Sequence, residues 1–190
     1  MERLPNTLEC FEVDTQPLIG RLSGATVHYA ADTKSSRIID ALKSSGLGYH
    51  FLIEENGTIL QLAPLNRRVY HAGKAVWNGQ SPNRSHVGIA ICNWGLLQEK
   101  DNHFITWSGR IIEPERVAFR RGQYWQDATP SQVSSMFYVL RFLVSVMGFK
   151  PSEVCTHAEC AIPAGRKVDV GGSIQYSGNQ LRAVLQVCPE

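Results

Sequence analysis

The sequence predicts an α/β (α+β) single domain built on one central mixed β-sheet flanked by helices. Three observations predict it. Apolar runs of strand length, Ala25–Ala30, Tyr49–Glu54, Thr58–Leu62 and Val87–Asn93, are bounded by turn residues. Segments with helical spacing stand between and after them, and strands interleaved with helices pack as a sheet with helices against it. At 190 residues, 43% hydrophobic and 19% charged, the chain is long enough for one sizeable core and ordinary for a globular protein.

Taken in order, residues 1–22 read as an irregular N-terminal arm and residues 23–190 as the domain proper. Ala25–Ala30 is a buried strand. Ser35–Ser45 is a helix stopped by Gly46 and Gly48. Tyr49–Glu54 and Thr58–Leu62 flank Glu55-Asn56-Gly57, a hairpin signal because Asn-Gly tolerates the positive φ of a tight turn. Val87–Asn93 is another strand. The polar, aromatic stretch 94–127 is an insertion with short strands near Phe104–Trp107 and Arg110–Ile112, its tryptophans assigned to packing and His103 to the surface.

Thr129 caps a long helix that begins at Pro130 and runs to about Met147. Val133, Met136, Phe137, Leu140, Val144 and Met147 repeat at helical spacing and form its core face. Glu153–His157 is the last central strand, and a helix near Gln180–Val187 closes the chain.

Composition narrows the function classes. A formal net charge of +2 makes no demand for a nucleic-acid partner. Met1–Cys10 lacks an apolar h-region, so no signal peptide is expected, and no run approaches the ~20 apolar residues that span a bilayer. The protein is expected to be cytoplasmic as synthesised, without membrane insertion, reaching any extracellular substrate through lysis or a dedicated route. Five cysteines, Cys10, Cys92, Cys155, Cys160 and Cys188, are an odd count that argues for reduced thiols.

The stretch Cys155-Thr156-His157 through Gly165-Arg166-Lys167-Val168-Asp169 carries the chemistry. It offers an imidazole, a turn, a lysine and a carboxylate two residues beyond that lysine, while His28 sits far upstream in an apolar strand. Two histidines and a carboxylate make a three-ligand zinc site with a fourth position open to water. A nearby lysine stabilises negative charge on an attacked carbonyl. The competing reading is two packed core histidines and a loop carboxylate. Cys155, two residues before His157 in an extended strand, is a minor rival ligand, and Cys160 a weaker one.

These residues resemble the zinc-dependent N-acetylmuramoyl-L-alanine amidases, the type 2 amidase superfamily that includes phage amidase lysozymes and peptidoglycan recognition proteins. The resemblance spans roughly residues 24–174. It rests on Val27-His28-Tyr29-Ala30, on Gly48-Tyr49-His50-Phe51-Leu52-Ile53 with Asn56-Gly57-Thr58, and on His71-Ala72-Gly73 with Trp77 and Gly79. Asn83 with Val87-Gly88-Ile89, and His157 with Gly165-Arg166-Lys167-Val168-Asp169, complete it.

The resemblance implies one Zn²⁺ held by His28, His157 and Asp169, with Tyr49 and Lys167 catalytic. His71 and Trp77 are expected in the substrate groove, although a structural role for His71 is nearly as well supported. The implied reaction is hydrolysis of the amide between N-acetylmuramic acid and L-alanine, with peptidoglycan or muropeptides as the partner. A non-catalytic peptidoglycan-binding module of the same fold, or a regulator using the same groove, is the alternative. Val170 replaces a common proline, His86 a common serine and Ala90 a frequent glutamate. The last change shifts the water-orienting role to Tyr49. His50, next to Tyr49 in a strand, faces the other side and is assigned to packing.

Overall fold

A computed structural model describes residues 3–18 and 20–187, so Cys188 lies outside the described residues. The chain runs β1 (Leu8–Glu9), β2 (Gln16–Pro17), β3 (Gly24–Tyr29), α1 (Ser35–Ser45), β4 (Phe51–Ile53), β5 (Ile59–Gln61), β6 (Arg67–Arg68), α2 (Pro82–Ser85) and β7 (His86–Ile91). It continues through β8 (Leu96–Lys100), β9 (His103–Ile105), β10 (Ile111–Ile112), β11 (Val117–Arg120), β12 (Gln123–Gln126), α3 (Pro130–Ser145), β13 (Val154–Thr156), α4 (His157–Cys160) and α5 (Gly178–Gln186).

The main sheet has the order β1-β5-β4-β7-β3-β13. β4, β7, β3 and β13 run parallel, and β5 is antiparallel to β4, so the sheet is mixed as expected. Parallel strands must be covered on both faces, which is why Gly24–Tyr29 reads as a nearly continuous apolar run. Ala25, Val27, Ile89 and Phe51 face α3 and α5 in one cluster. Leu52, Ala90 and Cys92 face α1, with Ile38, Ile39 and Leu42, in the other. His28 alternates with Val27 and so belongs to the α1 side.

The helices begin and end for local reasons. Gly46 closes α1 in the left-handed conformation, φ 64°. Thr129 Oγ1 accepts the Gln132 N–H at 3.1 Å and Gln132 Oε1 accepts the Thr129 N–H at 3.1 Å, a reciprocal cap on α3. The same Gln132 donates to the Cys92 carbonyl at 2.8 Å, tying the helix to the end of β7. Ser177 and Gln180 form a second such cap on α5.

Two expectations need correction. β13 is an edge strand rather than a central one. It reads as central because its edge is covered: Arg182 Nη1 donates to the Val154 carbonyl at 2.8 Å, and Ala75 bridges Ala161 beside it. His157 does not continue the strand but opens α4, so it no longer shares a side with Cys155, whose thiol lies against Thr26 and His86. The arm is not irregular throughout either, since β1 pairs with β5 and Leu4 is fully buried.

Residues 96–126 form a five-stranded sheet of their own, order β10-β9-β8-β12-β11. Gln126 fastens it to the core, accepting the Trp94 N–H at 2.6 Å through Oε1. The Arg116–Glu55 ion pair adds a second tether. Gly95, at φ 76°, lets the first turn close onto Tyr29, because a Cβ there would lie 2.1 Å from that ring. Trp94 and Trp125 are buried as expected, but Trp107 is 72% exposed.

His50 is buried with both ring nitrogens committed: Nδ1 accepts the Gly88 N–H at 3.0 Å, and Nε2 donates to the Arg67 carbonyl at 3.0 Å. Protonating Nδ1 would set two donors against each other. Burial pushes the His50 pKa down to about 4, and burial does the same to His86. A depressed histidine pKa means that the unfolded chain binds the proton first. The stabilisation is therefore complete above the unfolded value near 6.5 and is lost as pH falls from there through about 4. Each group accounts for on the order of 3 kcal/mol over that window. Urea unfolding of chelator-treated protein at pH 7.5 and 4.5 should show a clear fall in midpoint; equal midpoints would contradict the assignment.

Candidate active site

The site forms where the C-terminal half of β3 meets the turn that follows β13. β3 supplies His28. Thr156 and Glu159 cap α4 reciprocally, and Glu159 is gripped by Arg182 at 2.8 Å, which fixes the first turn and with it His157. Asp169 arrives on the loop after α4, its carbonyl accepting the Ala158 N–H at 2.6 Å. The Asp169–Val170 peptide bond is cis.

Three atoms converge. His28 Nδ1 is 3.1 Å from His157 Nδ1 and 3.0 Å from Asp169 Oδ2, and His157 Nδ1 is 2.9 Å from the same oxygen. The far nitrogens decide which tautomer each ring adopts. His157 Nε2 lies 2.9 Å from the Ala72 carbonyl, which can only accept. His71 Nε2 lies 3.3 Å from the Pro82 carbonyl, so His71 Nδ1 is left to accept from His28 Nε2 at 3.0 Å. Both Nδ1 atoms thus turn lone pairs toward a carboxylate oxygen.

Such a set suits a cation. Metal–ligand bonds of about 2 Å at tetrahedral angles separate ligand atoms by about 3.3 Å, close to the distances found. The trio is also the one group of histidine, cysteine or acidic side chains able to hold a metal ion among the described residues. Cys155 and Cys160 are not part of it.

The electrostatics agree. Burial pushes the Asp169 carboxyl up, but the close approach of His157 and then His28 outweighs it and holds the group well below the usual carboxylate range. Burial lowers the pKa of His28, offset in part by Asp169, and burial lowers His71 well below its ordinary value. A neutral His28 beside an ionised Asp169 is what a metal requires.

A cavity of about 440 Å³ opens over the trio. Tyr29, Ala31, Leu47, Tyr49, Arg166 and Lys167 are among its lining residues. Asp169 is the one carboxylate among the described lining residues, and Ala90 is fully buried in the α1 cluster. The Tyr49 ring centroid is 5.2 Å from that of His28. Burial, reinforced by Asp169, raises the Tyr49 pKa, so its phenol keeps its proton. Lys167 is exposed at the cavity.

The structure brings six of the seven expected site residues, His28, Tyr49, His71, His157, Lys167 and Asp169, into one place. His71 packs over Gly88, where a Cβ would lie 2.8 Å from its ring. Trp77 is not among the lining residues: its indole donates to the Ser152 carbonyl at 3.0 Å and lies under the Arg182 guanidinium.

Two contributors were not legible in the sequence. Tyr29 lines the cavity, its pKa pushed up to about 12 by burial and then by Asp169. Arg166 donates to the Ile162, Ala72 and Lys74 carbonyls at 3.0, 3.1 and 2.8 Å, sharing the Ala72 oxygen with His157. Its place directly before Lys167 was the available signal.

Solved structures share this architecture. The chain is similar to the N-acetylmuramyl-L-alanine amidase AmiD from E. coli, at 23% identity and TM-score 0.65, over 93% of this chain and 62% of that one. AmpDh3 from Pseudomonas aeruginosa matches at 22% identity and TM-score 0.62, over 90% and 62%. The endolysin amidase LysCS from Clostridium intestinale matches at 19% identity and TM-score 0.60, over 99% and 100%. The chain thus spans 62% of the length of the first and second of these. No curated protein matches it. Residues 20–172 match the family described as N-acetylmuramoyl-L-alanine amidase, so the chain belongs to that family.

Proposed function

We propose that this protein hydrolyses the amide between the lactyl group of N-acetylmuramic acid and L-alanine, in peptidoglycan or muropeptides, using one zinc ion held by His28, His157 and Asp169. The convergence of two bare Nδ1 atoms on the Asp169 carboxylate within 3.1 Å carries the reading. Bound there, zinc lowers the pKa of a water toward ~7 and polarises the substrate carbonyl. The AmiD structure holds anhydro-N-acetylmuramic acid-L-Ala-D-γ-Glu-L-Lys and the AmpDh3 structure an anhydromuramic pentapeptide, which supports the substrate class.

The chain's own residues supply the rest. Lys167 reaches into the cavity and donates to the oxyanion that forms as the carbonyl becomes tetrahedral. Tyr49, protonated and against His28, orients the attacking water through its hydroxyl, taking the place of an acid at position 90. His71 and the Ala72 carbonyl hold the two imidazoles in the tautomer that presents Nδ1. Arg166 fastens the loop bearing Lys167 and Asp169 to the 72–74 segment. No helix of the described residues is long and apolar enough to cross a membrane.

Mass spectrometry of digests tests the reaction. Sacculi and anhydro-muropeptides should release stem peptide with a free L-alanine amino group while the glycan stays uncut. New reducing ends without that amino group would overturn the proposal in favour of a glycosidase.

A further inference from the structure

Trp107 is 72% exposed, yet its orientation is fixed. Its indole N–H donates to the Ala31 carbonyl at 3.1 Å, and its ring lies 6.4 Å from that of buried Trp94. The turn that carries it is rigid. The Arg110 N–H meets Thr106 Oγ1 at 3.0 Å, the Thr106 N–H meets the Arg110 carbonyl at 2.9 Å, and the Gly109 N–H meets the Thr106 carbonyl at 2.9 Å. Ala31, the acceptor, lines the active-site cavity and has φ 58°, a left-handed conformation that costs a residue with a Cβ roughly 1 kcal/mol. The separate sheet therefore grips the cavity wall at one point and presents a flat apolar face beside it.

The position of that face along the cleft gives it a meaning. His71 lies over Gly88, which pairs with Thr26, and Arg166 is bonded to the carbonyls just after His71. Ala31 lies five residues beyond Thr26, just past the C-terminal end of β3 at Tyr29. His28 stands between them. Arg166 is thus tied to the 72–74 side of the cleft, whereas the Trp107 ring is tied to Ala31, beyond the C-terminal end of β3.

A muropeptide has the matching polarity about its scissile amide. On one side lies an uncharged sugar whose C–H face suits an indole; on the other, a γ-linked glutamyl residue leaves a free carboxylate that suits guanidinium and ammonium.

We infer that Trp107 is a sugar-binding platform: the glycan side of the substrate lies against it, and the stem peptide runs toward Arg166. The inference deepens the amidase reading and rests on it for the identity of the ligand. Because Trp107 is exposed and not among the residues lining the cavity over the trio, its role is in binding and specificity rather than in bond breaking.

Binding and turnover together test it. Wild type, Trp107→Ala and Trp107→Phe are assayed for binding to glycan strands stripped of peptide, for binding to free L-Ala-D-γ-Glu-L-Lys, and for turnover of the intact muropeptide. Trp107→Ala should weaken glycan binding at least tenfold and raise KM similarly, with kcat, peptide binding and zinc content within twofold of wild type. Trp107→Phe, which keeps a ring, should retain most of the glycan affinity. Equal glycan binding by wild type and Trp107→Ala, or no glycan binding by wild type, would overturn the platform even if the amide is cleaved. Trp107-dependent glycan binding without amide cleavage would support the platform and overturn the amidase reading.

Discussion

Asp169→Ala is expected to abolish turnover and to weaken zinc affinity by more than a hundredfold. The carboxylate is the one anion of the donor set, and its oxygen lies 3.0 and 2.9 Å from the two imidazole nitrogens. Without it, two neutral rings remain to hold a dication. Loss of an outer partner typically costs 10–100-fold in metal affinity, so loss of a ligand should exceed that range. The side chain is 9% exposed, which leaves water little room to substitute for it. Competition against a chromophoric chelator reads the affinity. Cys155→Ala and Cys160→Ala serve as controls and should bind zinc normally, since neither thiol belongs to the trio.

Lys167→Ala should separate metal binding from catalysis. Lys167 is exposed and makes no contact with the trio that the fold depends on, so zinc content and thermal stability should match wild type. Turnover should fall by about a hundredfold or more, as when a single oxyanion donor is lost, equivalent to ~3 kcal/mol of transition-state stabilisation. KM should change far less than kcat, because the contact strengthens as charge develops on the oxygen. Tyr49→Phe should behave alike, its ring still packed against His28. Steady-state kinetics on a soluble muropeptide decide the matter. Near-normal kcat in both variants would mean that their roles are misassigned even with zinc in place.

Much of this was legible in the sequence, and the exceptions follow a pattern. Helix α1 was readable to the residue because Gly46 must stop it, and the start of α3 because Thr129 and Pro130 begin it, although it ends at Ser145 rather than near Met147. The hairpin at Asn56-Gly57 and the mixed sheet followed from turn chemistry and apolar runs. The candidate trio was visible because His28, His157 and Asp169 occur together with Lys167 and Tyr49 in one pattern, although none of them is persuasive alone.

What local pattern cannot show is closure over distance. Alternation along β3 turns Tyr29 away from His28, and only the turn at Gly95 folding onto its ring makes it part of the cavity. His71 lines the cavity, but its bond to His28, made while packed over Gly88, is not visible in the local pattern. Trp77 reads as a groove aromatic until Arg182, more than a hundred residues later, lies over it. Trp107 reads as core for the same reason that the edge position of β13 was hidden. Periodicity reports an apolar side chain, not what finally covers it.

Back-titration of zinc into chelator-stripped protein, following bound metal and amide hydrolysis in the same samples, tests the central claim most directly. Activity should return in proportion to bound zinc, reach its plateau at one equivalent, and fail to return in His157→Ala and Asp169→Ala at the same zinc concentration. Full turnover by the stripped wild-type protein, or a His157→Ala variant with full zinc and normal turnover, would contradict a hydrolytic centre built on His28, His157 and Asp169.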